Sequence, residues 1–316
     1  MKRFKNILVV LGPEGEDHLT LERAAALARL NRASLHVLVA LEYLPLELSM
    51  LVTALHPQEL QDIVERKQRE RLDKWLVPIR GDGIAVTTSL EWSNTPFLAI
   101  IRSVLRHQHD LVIKTAQRIT GPDAVLFHPT DRHLMRKCPC PLWMVKPASH
   151  PTYRRILAAV DPFPDEEPNN ELNRNILELA SSLAAIEAAD LHVVHAVPLV
   201  SGAVLYSPDV DAGVTVDIGQ YKDDMLALHQ QRMHEFLADY AIAAERVHIE
   251  TGVPGEVIVD VARREQADLI VTGTVARTGI PGLLIGNTAE RVLDHVSCDV
   301  LAVKPQGFVT PVTLPA

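Results

Sequence analysis

The sequence repeats itself once, and this repeat constrains the fold more than any other feature. Asp110–Thr115 and Asp268–Gly273 align at an offset of 158 residues, and the same offset pairs residues 140–147 with residues 298–305 without a gap. Toward the amino end of each half the offset falls to between 149 and 156, because the connections there differ in length. Matching elements in a fixed order with variable connections indicate two tandem domains.

Length and charge agree with this division. A chain of 316 residues with 47% hydrophobic content can bury two cores of about 150 residues each. We expect a first domain over residues 1–148, a second over residues 153–307, and a C-terminal tail over residues 308–316, with a short proline-containing join at residues 147–152. The net charge of -9 argues against nucleic acid as the partner.

The sparse cysteines and the short apolar runs indicate the compartment. Three cysteines without Cys-x-x-Cys spacing fit a reducing environment. The first apolar run, Ile7–Leu11, ends at Gly12, and no later run reaches the length of a membrane span. The sequence therefore predicts a cytoplasmic protein without a membrane span.

Hydrophobic periodicity alternates between strand and helix within each half. The first half predicts strands at residues 6–11, 34–41, 84–91, 111–114 and 142–145, separated by helices at 19–30, 58–77, 96–107 and 130–138, and the second half repeats the series to a last strand at 300–303. Short apolar strands between helices predict an α/β protein, with one five-stranded, doubly wound parallel sheet in each half. A ligand crevice is expected at the carboxyl ends of the strands, where the strand order reverses.

One stretch of the second half is typical of a phosphate-binding loop. A buried strand from Asp268 runs into a glycine-rich loop, after which Gly286-Asn287-Thr288 opens an amphipathic helix. Backbone N–H groups at a helix N-terminus bind anions where no Cβ prevents close approach. The loop residues also have a purely structural interpretation, Gly273 as a tight turn and Arg277 as a surface charge. The same holds for Asp161, which follows the first strand of this half and could be a turn or capping residue.

The spacing of this loop resembles that of the universal stress protein family. Gly273 and Gly286 stand at the outer glycine positions, Ala276 replaces the middle glycine, and Asn287 replaces the usual serine. The resemblance covers nearly the whole chain, with one family domain in each half, and the tandem arrangement resembles the E-type of the family. It implies an adenine nucleotide alpha hydrolase-like fold with strand order 3-2-1-4-5.

The resemblance also implies ATP as the candidate ligand of the second domain and assigns the residues that would bind it. Asp161, at the end of the first strand, matches the aspartate that reaches the adenosine portion, and Ala196 falls near the adenine. The phosphate loop falls on Gly273, Ala276, Arg277, Gly286, Asn287 and Thr288. The methyl group of Ala276 stands where the backbone should approach the phosphates, so Ala276→Gly is expected to tighten binding.

The first half differs at every one of these positions. Gly12 stands in place of Asp161, Thr115 in place of Gly273, and His128-Pro129 in place of Gly286-Asn287. Proline removes a backbone donor from the loop. We therefore expect the first domain to be nucleotide-incompetent.

Other interpretations remain open at the level of the sequence. Residues 44–55 and 197–206 are apolar and follow the second strand of each half, so they could line a cavity for an apolar ligand such as an acyl chain, bind a protein, or pack the halves together. His128, Asp131 and His133 could bind a metal, although a helix start with surface residues explains them better. Catalysis is not expected, since the loop offers only Arg277 and a distant Glu290.

The last strand of each half predicts the assembly. Strand order 3-2-1-4-5 leaves Leu142–Lys146 and Val300–Lys304 at sheet edges, and free edges invite pairing. We expect these strands to lie antiparallel across a pseudo-two-fold axis within one chain, since the short linker raises their effective concentration.

Overall fold

The computed structural model describes residues 4–13, 17–43, 57–116, 129–147, 152–163, 167–198, 218–274 and 287–315. The chain divides into two compact units, which match the two halves of the repeat. The first unit consists mainly of residues 2–151 together with the C-terminal residues 308–316, and the second mainly of residues 152–307.

The first unit has five parallel strands and four helices within the described residues. In chain order they are β1 (Asn6–Leu11), α1 (His18–Asn31), β2 (Ser34–Leu41), α2 (Pro57–Gly81), β3 (Val86–Trp92), α3 (Pro96–His107), β4 (Leu111–Thr115), α4 (Pro129–Lys137) and β5 (Leu142–Val145). The strand order is β3-β2-β1-β4-β5.

The second unit repeats this architecture. Its elements are β6 (Arg155–Ala159), α5 (Glu167–Glu187), β7 (Asp190–Val197), α6 (Ile218–Leu237), β8 (Val247–Thr251), α7 (Pro254–Arg264), β9 (Leu269–Gly273), α8 (Asn287–His295) and β10 (Asp299–Val303), with a short 3₁₀ turn at Ala244–Arg246. The strand order is β8-β7-β6-β9-β10, again parallel. Both sheets confirm the α/β fold and the predicted order 3-2-1-4-5.

The central strands form the core of each unit. All five residues of β4 and the first four residues of β9 are buried, and β1 and β6 each expose only part of their first residue. Near-continuous apolar strands of this kind are covered by helices on both faces, so a ligand can reach the sheet only at its ends. In both units the order reverses between the first and fourth strands, which puts the expected crevice at the carboxyl ends of β1 and β4 and of β6 and β9.

Two element boundaries differ from the prediction by more than one residue. The helix expected to end at Val77 continues to Gly81, with Pro78 inside it. Proline removes one backbone donor and strains the preceding turn. The helix tolerates Pro78 because only its last turn follows this residue. The strand expected from Ile84 begins at Val86, after Gly83 with a φ of 79°.

The C-terminal residues belong to the first unit rather than to the domain that precedes them in the chain. Val312 is buried, and Arg102 Nε on α3 donates a hydrogen bond to the Thr313 carbonyl oxygen at 3.4 Å. None of the helices in the described part of the chain has the length and apolar character needed to cross a membrane.

Candidate functional site

Asp161 lies just beyond the carboxyl end of β6, the first strand of the second unit. Its backbone N–H donates to Asn173 Oδ1 at 3.0 Å, and its carbonyl oxygen accepts from Asn173 Nδ2 at 2.7 Å, so the side chain of one α5 residue holds both backbone groups. Its carboxylate accepts a hydrogen bond from the Phe163 N–H at 3.1 Å and remains 63% exposed. The site thus presents a fixed, solvent-accessible acceptor at the crevice.

Two buried histidines stand behind this carboxylate. His195 on β7 lies with Nδ1 3.1 Å from the Val160 carbonyl oxygen and Nε2 2.6 Å from His229 Nδ1 on α6. Because Nδ1 of His195 must donate to the carbonyl, its Nε2 accepts the proton of His229 Nδ1 when both rings are neutral. Burial lowers the pKa of both histidines, while the nearby Asp161 carboxylate opposes this shift. Phe163 packs against His229 with ring centroids 4.2 Å apart.

Gly273 ends β9 beside the crevice, and its lack of a side chain has a packing explanation. A Cβ at this position would stand 2.9 Å from Leu172 Cδ2 on α5, closer than Cβ contacts normally approach. The structural interpretation of this glycine therefore has direct support, whatever the loop after it binds.

The remaining predicted contacts are described only in part. Ala196 lies on β7, next to His195, and is partly exposed near the carboxyl end of that strand. Asn287 and Thr288 form the first turn of α8. Ala276, Arg277 and Gly286 lie outside the described residues, as do the apolar segment at residues 44–55 and most of that at 197–206. The phosphate-loop assignment therefore remains a prediction.

The corresponding end of β1 in the first unit is occupied by the protein itself. Asp17 Oδ2 accepts from the Gly12 N–H at 2.6 Å. Arg71 on α2 donates to the carbonyl oxygens of Gly12, at 2.7 Å, and Pro13, at 2.9 Å. The guanidinium also lies 4.9 Å from the Trp75 ring centroid. Where the second unit offers an exposed carboxylate, the first offers a strand end whose polar groups are already bound.

A buried ion pair lies below this strand end. Lys114 Nζ on β4 lies 2.8 Å from Asp131 Oδ1 on α4, with the two side chains 7% and 0% exposed. His133 stacks on Phe97 instead, with centroids 4.2 Å apart. The metal-site interpretation of Asp131 with His133 is therefore not supported, and His128 lies outside the described residues.

The cysteines lie in the core, as small apolar residues do. All three are buried, and the sulfurs of Cys138 and Cys140 are 3.7 Å apart. Contact with Cys138 and burial raise the pKa of Cys140, so its thiol stays protonated.

Sequence reasoning missed Asn173, His195 and His229. Asn173 sits inside a helix, twelve residues after the strand end that it holds, and His229 comes from a helix that follows a long connection. The only signal in the sequence was the position of His195, one residue before Ala196 on a strand whose end was already assigned to the crevice.

Comparison with known proteins gives the family. The profile of the Universal stress protein family matches residues 3–146 and again residues 152–304. The chain is 33% identical over 316 residues to Universal stress protein E of Escherichia coli (strain K12), a match that covers 99% of this chain and 98% of the relative. It is 32% identical over 308 residues to the Universal stress protein E homolog of Haemophilus influenzae, covering 96% of this chain and 98% of that protein.

Solved structures similar to this chain have the same fold. A functionally unknown protein from Pseudomonas aeruginosa PAO1 matches with a TM-score of 0.71 at 29% identity, over 96% of this chain and 93% of that one. A universal stress protein from Archaeoglobus fulgidus DSM 4304 shares the fold, with a TM-score of 0.62 at 16% identity over 95% of this chain and 98% of that one. The two domain matches, the full-length relatives and the order of the strands lead to one conclusion: this chain belongs to the universal stress protein family, with two family domains in tandem.

Proposed function

We propose that the second domain binds an adenine nucleotide, with ATP as the first candidate, and that the chain is a cytoplasmic stress-response protein of regulatory or protective role. The observation that carries this proposal is the exposed Asp161 carboxylate at the carboxyl end of β6. A fixed carboxylate can accept hydrogen bonds from the hydroxyl groups of a ribose, and charge-assisted bonds of this kind are among the stronger ones.

The surroundings of Asp161 support a nucleoside. Asn173 fixes its backbone, and the neutral His195–His229 pair leaves the carboxylate without a strong cationic partner among the described residues. Ala196 is partly exposed near the end of β7, and its small side chain would not obstruct an aromatic base at that position. The phosphates would lie against Gly273, Ala276, Arg277, Gly286, Asn287 and Thr288, an assignment that rests on the loop sequence.

The first domain is proposed not to bind nucleotide. Arg71 and Asp17 already occupy the polar groups around Gly12, and Pro129 begins α4 without a backbone donor. A ligand there would have to replace hydrogen bonds that the protein already makes.

The alternative is an apolar-ligand or protein-binding module that does not use nucleotide. Its basis is the apolar sequence of residues 44–55 and 197–206. Native mass spectrometry of the purified protein separates the two, because released adenine nucleotide supports the proposal and released lipid or acyl chains support the alternative. Efficient catalysis is not proposed for either.

The proposal is tested by calorimetric titration with ATP. One site per chain is expected, and Asp161→Ala should weaken binding at least about tenfold, since a hydrogen bond to a charged group contributes about 1.5–3 kcal/mol. Ala276→Gly should tighten binding by up to about fivefold, the equivalent of one neutral hydrogen bond. The control, Thr115→Ala at the first-domain counterpart of Gly273, should leave the affinity unchanged. Two equivalent sites, or an Asp161→Ala variant that binds normally, would contradict the proposal.

The assembly is a separate proposal that rests on the sequence. The fifth strands of the two domains, β5 and β10, are proposed to pair within one chain, so that one polypeptide is equivalent to a dimer of single-domain relatives. The support is the short join at residues 147–152 and the edge position expected for a fifth strand.

A further inference from the structure

A cluster of metal-ligating side chains lies at the opposite edge of the second sheet, away from the crevice. His192 is near the start of β7, His248 is the second residue of β8, and Glu265 follows the last residue of α7. The strands are parallel neighbours, so their amino ends bring the two imidazoles together, and α7 returns its C-terminus to the same edge. Nothing in the proposed nucleotide site uses these residues.

The geometry of the cluster is close to that of a coordination site. His192 Nδ1 and His248 Nε2 are 3.1 Å apart, and one ligand atom from each of His192, His248 and Glu265 lies within 4.8 Å of the other two. Zinc–ligand bonds of about 2.0–2.1 Å at tetrahedral angles put neighbouring ligand atoms about 3.3–3.4 Å apart. The two nitrogens therefore stand close to the required separation, and the Glu265 oxygen would have to come within about 3.4 Å of them for all three to bind one metal ion.

We propose that His192, His248 and Glu265 form a binding site for a first-row divalent transition metal, with Zn²⁺ as the best match. Two imidazoles and one carboxylate are ligands that Zn²⁺ takes readily. Three protein ligands leave a fourth position for water or for a group from another molecule.

The ionisation of the three groups suits metal binding. Burial lowers the pKa of His192 and of His248, so both imidazoles are neutral at neutral pH and keep a lone pair for the metal. A hydrogen bond from Arg264 lowers the pKa of Glu265, so this side chain is a carboxylate.

Three arginines and two carboxylates surround the cluster: Arg155, Arg246 and Arg264 face it with Asp190 and Glu250. Arg246 pairs with Asp190 at 2.9 Å, and Arg264 pairs with Glu250 at 2.6 Å. Arg264 also contacts the proposed ligand Glu265 at 3.1 Å, but Glu250 still compensates its charge when Glu265 binds the metal.

The first domain supplies a matched comparison. His36 corresponds to His192, and His107 to Glu265, at the repeat offsets of 156 and 158. Both ring nitrogens of His36 already bond hydroxyl groups, Nε2 to Ser89 at 2.8 Å and Nδ1 to Thr87 at 3.1 Å. Because β3 offers hydroxyls where β8 offers His248, the same place in the first domain does not present a free pair of imidazole nitrogens.

The test is titration of the full-length, metal-stripped protein with Zn²⁺, followed by Co²⁺ as a spectroscopic probe. One saturable equivalent is expected, together with a higher thermal midpoint in Zn²⁺ and the intense visible absorption of four-coordinate Co²⁺. His248→Ala and Glu265→Gln are chosen because both side chains are only partly buried, so the variants should fold. Each should weaken Zn²⁺ binding by at least about tenfold. Removing a residue that only hydrogen-bonds a metal ligand already costs about 10-fold to 100-fold in affinity, and these residues are proposed to bind the metal directly.

The control is His36→Ala, which should retain the full equivalent and the Co²⁺ spectrum. Absence of saturable binding would overturn the proposal and leave the His192–His248 contact as a hydrogen bond between neutral imidazoles. Binding that survives His248→Ala unchanged, or that His36→Ala removes, would also overturn it, because the metal would then sit on other histidines of the chain.

Discussion

At the carboxyl end of its first strand the first domain places Gly12, whose backbone is bound by Asp17 and Arg71, and the second domain places Asp161, whose carboxylate is exposed. Deeper in the same region the first domain has the Lys114–Asp131 ion pair. At the offset of 158 the second domain has Thr272 and Ala289 instead. Side chains hold the backbone at this strand end in both repeats, but among the described residues only the second repeat adds an exposed carboxylate that a ligand can reach.

This difference shows that a duplicated fold can divide stability and binding between its copies. Polar groups that hydrogen-bond to each other stabilise the fold. These hydrogen bonds must break before the same groups can bind a ligand. Exchanging corresponding residues between the domains tests whether this division is correct.

The largest effect is expected at the buried ion pair. Asp131→Ala should destabilise the first domain by about 3–5 kcal/mol, because it leaves the Lys114 ammonium buried without its carboxylate. Adding Lys114→Thr reproduces the second-domain pair Thr272 and Ala289 and should recover a substantial part of the loss, since replacing both partners of a buried pair costs far less than removing one.

Chemical denaturation of Asp131→Ala, Lys114→Thr and the double variant at neutral pH measures the three free energies of unfolding that the comparison needs. The comparison fails if the free energy of unfolding lost in the double variant equals the sum of the losses in the two single variants. That result would mean that the pair is not the unit of stabilisation.

An intermediate effect is expected at His109, which only the first domain has, since its counterpart is Ala267. Burial, with smaller contributions from His36 and His107, lowers the pKa of His109 to about 4. Its Nε2 is buried without a hydrogen-bond partner among the described residues. Because the unfolded chain, with a pKa of about 6.5, binds the proton first, stability is full above pH 6.5 and is lost as the pH falls toward 4.

Between about pH 7.5 and 5 this single group should lower the free energy of unfolding by about 2 kcal/mol. His109→Ala should remove that part of the pH dependence, as measured by denaturation at the two pH values. His18→Ala, at an exposed position on α1, is the control and should keep it. An unchanged pH dependence in His109→Ala would show that His109 is not the group responsible.

The smallest effect is expected where β9 and β4 end. Gly273→Ala places a methyl group against Leu172 and should cost about 1–2 kcal/mol, as modest overpacking does. In a Leu172→Ala background the same change should be nearly neutral. At the corresponding first-domain position, Thr115→Ala loses the 2.6 Å hydrogen bond to Thr20 and should cost about 1 kcal/mol. A Gly273→Ala penalty that persists without the Leu172 side chain would disprove the packing explanation.

Much of the fold was predictable from the sequence. Short apolar strands separated by helices repeat along the chain, and a parallel strand buried on both faces is built almost entirely from apolar residues. The bounds of Pro96–His107 and Leu142–Val145 were therefore predicted to the residue. The end of α2 was predicted wrongly: the helix expected to end at Val77 continues past Pro78 to Gly81 and buries Ile79.

The candidate site was less predictable, for a physical reason. Asp161 could be placed because it ends a strand, and the ends of parallel strands share an edge. Asn173 and His229 reach that edge from the faces of helices, and nothing in their own sequence neighbourhood records which strand they will meet. Contacts between distant elements depend on the packed structure, so they became visible only with it.

The C-terminal residues have a consequence for the order of synthesis. Val312 and Thr313 belong to the first unit, yet they are synthesised after the whole second domain. The first domain can therefore form its sheet early but receives the buried side chain of Val312 only after residues 152–307 have been made. A fragment that stops at the linker would lack this final piece, and so a fair measurement of the first domain's stability requires the intact chain.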